Sequence, residues 1–216
     1  MVLDPLGQLS RYLPEEWLHR LIRWAMIVIL AVFLVHRFYL YPHYAVKSLW
    51  LVETLLFAVL IIAFLLRTSP RVRSRGVREI IVPLVGSALP FALLLSPPAP
   101  AVVGNRSLFY GVLWGMTAAT SLTVAGMWSL RRSFSITVEA RTLVTTGPYR
   151  FIRHPIYLGE ILAAAGVTLI RISLVNGILF GVFIVIQLLR SRWEEKKLAE
   201  TFPHYRDFAA RSRWFW

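Results

Sequence analysis

The chain has 216 residues, is 57% hydrophobic and carries charge at only 16% of its positions, against roughly 25% in soluble domains. It has no cysteine, which excludes a disulfide framework, a thiolate metal site, a Cys nucleophile and a lipid anchor on Cys. The formal charge is +13, but the Arg and Lys residues fall between long apolar runs rather than along one face or tail, so no nucleic-acid partner is expected.

The first twenty residues, MVLDPLGQLSRYLPEEWLHR, lack the short apolar core and small-residue cleavage site of a signal peptide. They read as an amphipathic lead-in lying on a membrane surface, with Trp17 and Leu18 toward lipid. Six apolar runs then approach the ~20 residues needed to cross a hydrocarbon core: Ile22–Leu40, Leu49–Leu66, Ile80–Leu95, Leu108–Leu130, Pro155–Ile170 and Leu174–Leu189. The predicted fold is an all-α integral membrane protein of about six transmembrane helices, the last two short enough to form a tight hairpin, with a cytoplasmic loop and a C-terminal helix. Residues 1–130 hold the lead-in and four helices; residues 131–216 hold a cytoplasmic loop, the hairpin and a cytoplasmic tail.

Orientation follows from loop basicity. With both termini cytoplasmic, twenty of the 24 Arg and Lys residues fall inside, and only Arg37, Lys47, Arg106 and Arg171 fall outside. Gly111/Gly115 and Gly177/Gly181 have the small-xxx-small spacing expected where helices approach closely in lipid. Pro83 and Pro90 are expected to bend the third span.

The chain has no dinucleotide fingerprint, Walker loop, H-E-x-x-H or Ser-centred elbow, so soluble nucleotide folds are not indicated. Its polar residues concentrate in two places, TTGPYRFIRHPIYLGE and RSRWEEKKLAETFPHYRDF. In the first, Gly147-Pro148 signals a turn that launches Tyr149 from a fixed bend. His154 is the natural last loop residue and Pro155 the first helical one. The first-turn N–H groups, Ile156 and Tyr157 among them, then form a mouth suited to an anionic or polar ligand group, ringed by Tyr149, His154 and Tyr157. Arg150 and Arg153 serve equally as anchors to lipid phosphates. In the second place Arg190 and Glu194 are four apart on one helix face at the rim of the membrane, whereas Glu195, Lys196 and Lys197 read as solvated. Glu53 and Glu160 lie inside apolar spans, where a carboxylate invites a functional hypothesis or pairs within the bundle.

LVTTGPYRFIRHPIYLG followed some thirty residues later by RSRWEEKKLAETFPHYRDF resembles the C-terminal signature of the isoprenylcysteine carboxyl methyltransferase family, itself similar to the membrane phospholipid N-methyltransferases. The resemblance covers Phe134 to Phe208, about a third of the chain. It implies an enzyme that binds S-adenosylmethionine at the cytoplasmic face and methylates a lipophilic acceptor entering from the bilayer, with no metal. Carried over by position, the donor pocket comprises Arg141, Thr142, Leu143, Val144, Tyr149, His154, Pro155, Ile156 and Tyr157, completed by Glu194, with Arg190 on the acceptor. Glu139 stands near a position where family members often carry Gln, and Arg141 where they carry His. Arg190 and Glu194 are the expected catalytic pair, the first orienting a carboxylate, the second fixing the donor or accepting a proton. Two rivals remain: an NADPH-dependent reductase of the sterol reductase type, whose acid after the RHPxYxG stretch Glu160 would match, and a scaffold in which this loop only anchors the chain to lipid.

Overall fold

A computed structural model describes residues 15–66, 78–130, 133–134 and 142–213. The described residues form helices and no sheet: α1 (Glu15–Leu40), α2 (Lys47–Leu66), α3 (Arg78–Ala92), α4 (Pro100–Gly104), α5 (Arg106–Leu130), α6 (Pro155–Ile170), α7 (Leu174–Thr201) and α8 (Tyr205–Arg211). Each of the six expected apolar runs is a helix. Four of them are long and apolar enough to cross a membrane, Arg23–His43, Lys47–Leu66, Arg106–Leu130 and Leu174–Thr201. Ile81–Leu95 and Pro155–Ile170 are shorter. The apolar span Leu174–Leu189 and the helical stretch expected after it are one unbroken helix to Thr201, because WEEKKLAET continues with good helix formers until Phe202-Pro203 stops it.

Contacts at the helix ends set the arrangement. Phe64 at the end of α2 packs edge-on against Phe134 beyond α5, with ring centres 6.1 Å apart. Lys197 near the end of α7 pairs with Glu79 at the start of α3. These bring the ends of α2, α5 and α7 to one pole with the starts of α3 and α6. At the other pole the amide of Ala99 donates to the carbonyl of Ile170 at 2.8 Å, and Arg171 donates to the Ser96 carbonyl. Asn176, fully buried there, donates to the carbonyls of Arg171 at 2.8 Å and Leu93 at 3.1 Å, which locks the α6–α7 turn.

Small residues do set the helix crossings, but not the expected ones. Among the described residues nothing lies within 4 Å of a Cβ built at Gly111, Gly115, Gly177 or Gly181. The close approaches are instead at Gly126, Gly159 and Gly166 between α5 and α6, and at Gly86 between α3 and α7. Motif spacing marks a small stripe on a helix without saying which side the partner occupies. Both prolines lie within α3, and the Ser87 hydroxyl donates to the Pro83 carbonyl at 2.9 Å.

Candidate active site

The loop before α6 folds as its turn residues require. Gly147 has φ +62°, which a side chain rarely adopts, and begins a short 3-10 turn through Arg150 that buries the Tyr149 ring. His154 then caps α6 with non-helical backbone and Pro155 occupies the first turn. His154 is 6% exposed, and its ring stacks on Tyr157 at 5.6 Å and 14°.

Beneath this loop α7 presents a polar inner face. Gln187, Arg190 and Ser191 are buried, while Val175, Ile178, Val182, Val185 and Leu189 are exposed. This inverts the polarity of a helix in water and suits one that lines a polar cavity in lipid. The Gln187 amide donates to the Glu160 carboxylate, and Arg190 Nη1 donates to Gln187 Oε1 at 2.9 Å. The Arg190 guanidinium lies over the Tyr157 ring at 4.8 Å. The Tyr157 hydroxyl donates to Glu194. Glu160, Gln187, Arg190, Tyr157 and Glu194 thus form one chain of charged and hydrogen-bonded groups across α6 and α7.

Glu195 is not the solvated residue its neighbours suggested. One oxygen, Oε1, accepts from Arg153 Nη1 at 2.8 Å and lies 3.1 Å from His154 Nε2. Lys197 is buried as well, on Glu79. Both corrections have the same cause: α7 is covered by the loop on one side and by α3 on another, so Glu195 and Lys197, about 200° apart around the helix, are both covered, while Lys196 is exposed as expected. The tail completes the cover. The Arg153 amide donates to the Arg213 carbonyl at 2.7 Å and the Arg213 amide to the Phe151 carbonyl at 2.9 Å, which ties the segment after α8 onto the loop. Tyr205 of α8 is buried beside Glu195; burial and that carboxylate push its phenol well up. Burial, with Glu194 and Glu160 adding, raises the Tyr149 phenol too. Both remain neutral at physiological pH, able to donate a hydrogen bond.

One cavity of about 500 Å³ joins these groups. Of the residues expected to hold a donor or an acceptor, Thr142, Leu143, Val144, Tyr149, His154, Ile156, Tyr157, Arg190 and Glu194 line it. Pro155 is buried at the helix start, where its ring packs toward Gly126. Glu139 and Arg141 lie outside the described residues. The cavity wall also holds Arg153, Glu160 and Tyr205, and Glu195 sits immediately behind it on Arg153 and His154. Glu160 carried a signal in sequence, a carboxylate within an apolar run; Glu195 carried none that separated it from a surface acid.

Residues 100–204 match the family described as phospholipid methyltransferase. A cobalt-zinc-cadmium resistance protein, CzcN of Cupriavidus metallidurans, is 31% identical over 102 residues, 45% of this chain and 45% of that protein. A nickel-cobalt-cadmium resistance protein, NccN of Alcaligenes xylosoxydans xylosoxydans, is 33% identical over 100 residues, 45% of this chain and 46% of that protein. The match thus spans less than half the length of either curated relative.

Proposed function

We propose, on the match of residues 100–204 to the phospholipid methyltransferase family, that the chain is a membrane methyltransferase that uses S-adenosylmethionine and acts on a lipophilic acceptor at the cytoplasmic face. The observation that carries this reading is the shared cavity: the ring around His154 and the α7 acid Glu194 are forty residues apart in sequence and line the same space, which continues into an apolar wall.

The residues present fit the donor. Arg153 Nε is buried with no hydrogen-bond partner among the described residues, a donor left over for a carboxylate of the kind an amino-acid moiety carries. Glu194 and Glu160 offer carboxylates to an ammonium, and the Tyr149 ring in the wall offers an aromatic contact to a sulfonium or a base. When bound, S-adenosylmethionine supplies a methyl group activated by its positive sulfur.

The chain's own contribution is enclosure and aim. The loop and the segment after α8 keep water from His154 and Tyr157, which strengthens each ionic contact within. Arg190, held between Gln187 and the Tyr157 ring, is fixed to orient an anionic or polar acceptor head. In this reading Glu194, which accepts from the Tyr157 hydroxyl, takes a proton from an acceptor that carries one.

The test is to supply radiolabelled S-adenosylmethionine to the protein in native membranes and to extract the lipid. Label in a lipophilic product, abolished by S-adenosylhomocysteine and reduced at least tenfold in His154→Ala and Glu194→Ala, is the expected result. Displacement of the bound donor by NADPH and not by S-adenosylhomocysteine would instead support the reductase reading, which Glu160 in the cavity wall keeps as the alternative.

A further inference from the structure

The cavity does not stop at its polar mouth. Its wall continues along α1 and α2 through Leu30, Phe33, Leu60 and Phe57, and reaches Glu53. Phe64 belongs to the core cluster that holds Ile156 and Tyr157, and from Phe64 back to Glu53 the α2 axis runs about 16 Å at ~1.5 Å per residue. An apolar shaft of roughly that length therefore separates two polar ends.

The far end is built from a cross-braced ion pair. Arg37, 8% exposed, donates from Nη2 to Glu53 Oε2 at 2.6 Å and to the Trp50 carbonyl at 3.3 Å. Its Nε donates to Thr54 Oγ1 at 3.2 Å. The Tyr44 hydroxyl donates to the same Glu53 oxygen at 2.8 Å. The Trp50 indole donates to the Arg37 carbonyl at 2.8 Å, so the pair also pins the end of α1 to the start of α2. Nothing in the chemistry proposed at the opposite pole uses this cluster. Hydrocarbon pressed against it would strip the Glu53 carboxylate of its remaining access to water and return no hydrogen bond, which makes the cluster a barrier to an alkyl chain.

Size argues for one chain. A space of about 500 Å³ is that of a pocket enclosing a drug-sized ligand; with the donor at its polar mouth, the apolar remainder has room for one tail and not for both tails of a phospholipid. We propose that Arg37, Glu53 and Tyr44 form a floor that limits alkyl-chain length, and that the acceptor is a single-chain amphiphile whose head lies by Tyr157, Glu160 and Arg190 and whose tail points toward Glu53. Calling this molecule the acceptor rests on the methyltransferase reading; the length limit does not.

The experiment uses the full chain in detergent without S-adenosylmethionine, with a graded series of straight-chain primary alcohols as probes and the shift in unfolding temperature as readout. In the parent the shift grows with chain length and falls once the chain outgrows the shaft of roughly 16 Å. The double variant Arg37→Leu/Glu53→Leu, which removes both charges so that no ion is stranded, moves that maximum to longer chains by several methylenes. Leu60→Trp, which narrows the shaft, moves it to shorter ones. A parent profile with no maximum, a folded double variant with the parent's maximum, or a Leu60→Trp profile that does not shorten would each overturn the proposal. Since no methyl donor is present, a failure of methyl transfer leaves this outcome standing, and a lost maximum leaves methyl transfer standing.

Discussion

Gly159 ends the stretch RHPIYLG, and its place against α5 explains its size. A Cβ there would meet the Thr123 hydroxyl oxygen, and the Ala119 carbonyl at 2.6 Å. Neither is the loose end of a flexible side chain, so α6 would have to withdraw from α5 and take His154 and Tyr157 with it. Gly159→Ala should therefore cost about 1–3 kcal/mol, the range for overpacking a close contact. Gly111→Ala, facing open space, should stay within about 0.5 kcal/mol of the parent. Thermal unfolding of both variants in the same detergent checks the contrast; equal losses would count against the crossing described. At this scale the sequence was only partly readable. His154 and Pro155 announced a helix start because proline restricts the residue before it. Glu195 gave no such sign, since its role depends on Arg153 and His154 being brought to it from about forty positions away.

At the scale of elements, α7 does two jobs along one axis. Its first half shows an apolar face outward and buries Asn176 and Phe183, and its second half turns Arg190 and Glu194 toward the cavity. The Lys197 pair with Glu79 holds that second half against α3, with side-chain exposures of 10% and 24%. Lys197→Met should destabilise by about 2 kcal/mol, because it takes the cation from a half-buried carboxylate. Adding Glu79→Leu should restore most of the loss, since an apolar pair replaces an ionic one. A double-mutant cycle on unfolding free energy measures the coupling, and additive losses would show that the pair does not hold the helices. The apolar run ends at Leu189 and the helix does not: hydropathy marks the membrane rim, and the helix-forming residues beyond it carry the backbone through.

For the molecule as a whole, helix-end contacts gather the His154 loop, the end of α7 and the start of α3 at one pole and the α6–α7 turn at the other. Under the membrane reading proposed above, loop basicity would put the first pole at the cytoplasm. The chain lacks cysteine, so single cysteines can be introduced without background. Thr146→Cys and Glu200→Cys should react with an impermeant maleimide only after the cytoplasmic face is opened, and Pro98→Cys should react from the opposite side. Labelling of Thr146→Cys and Pro98→Cys from the same side would reject the arrangement.

The amino-acid order alone was enough for membrane character, for helical apolar runs and for the turn that starts α6, because hydropathy, loop charge and proline geometry are local properties. Which glycines meet a neighbour, which acid faces the cavity, and the joining of Glu194, His154 and Glu53 by one space were decided by tertiary packing. Each depends on how helices distant in sequence are rotated about their axes, and no short-range pattern encodes that rotation.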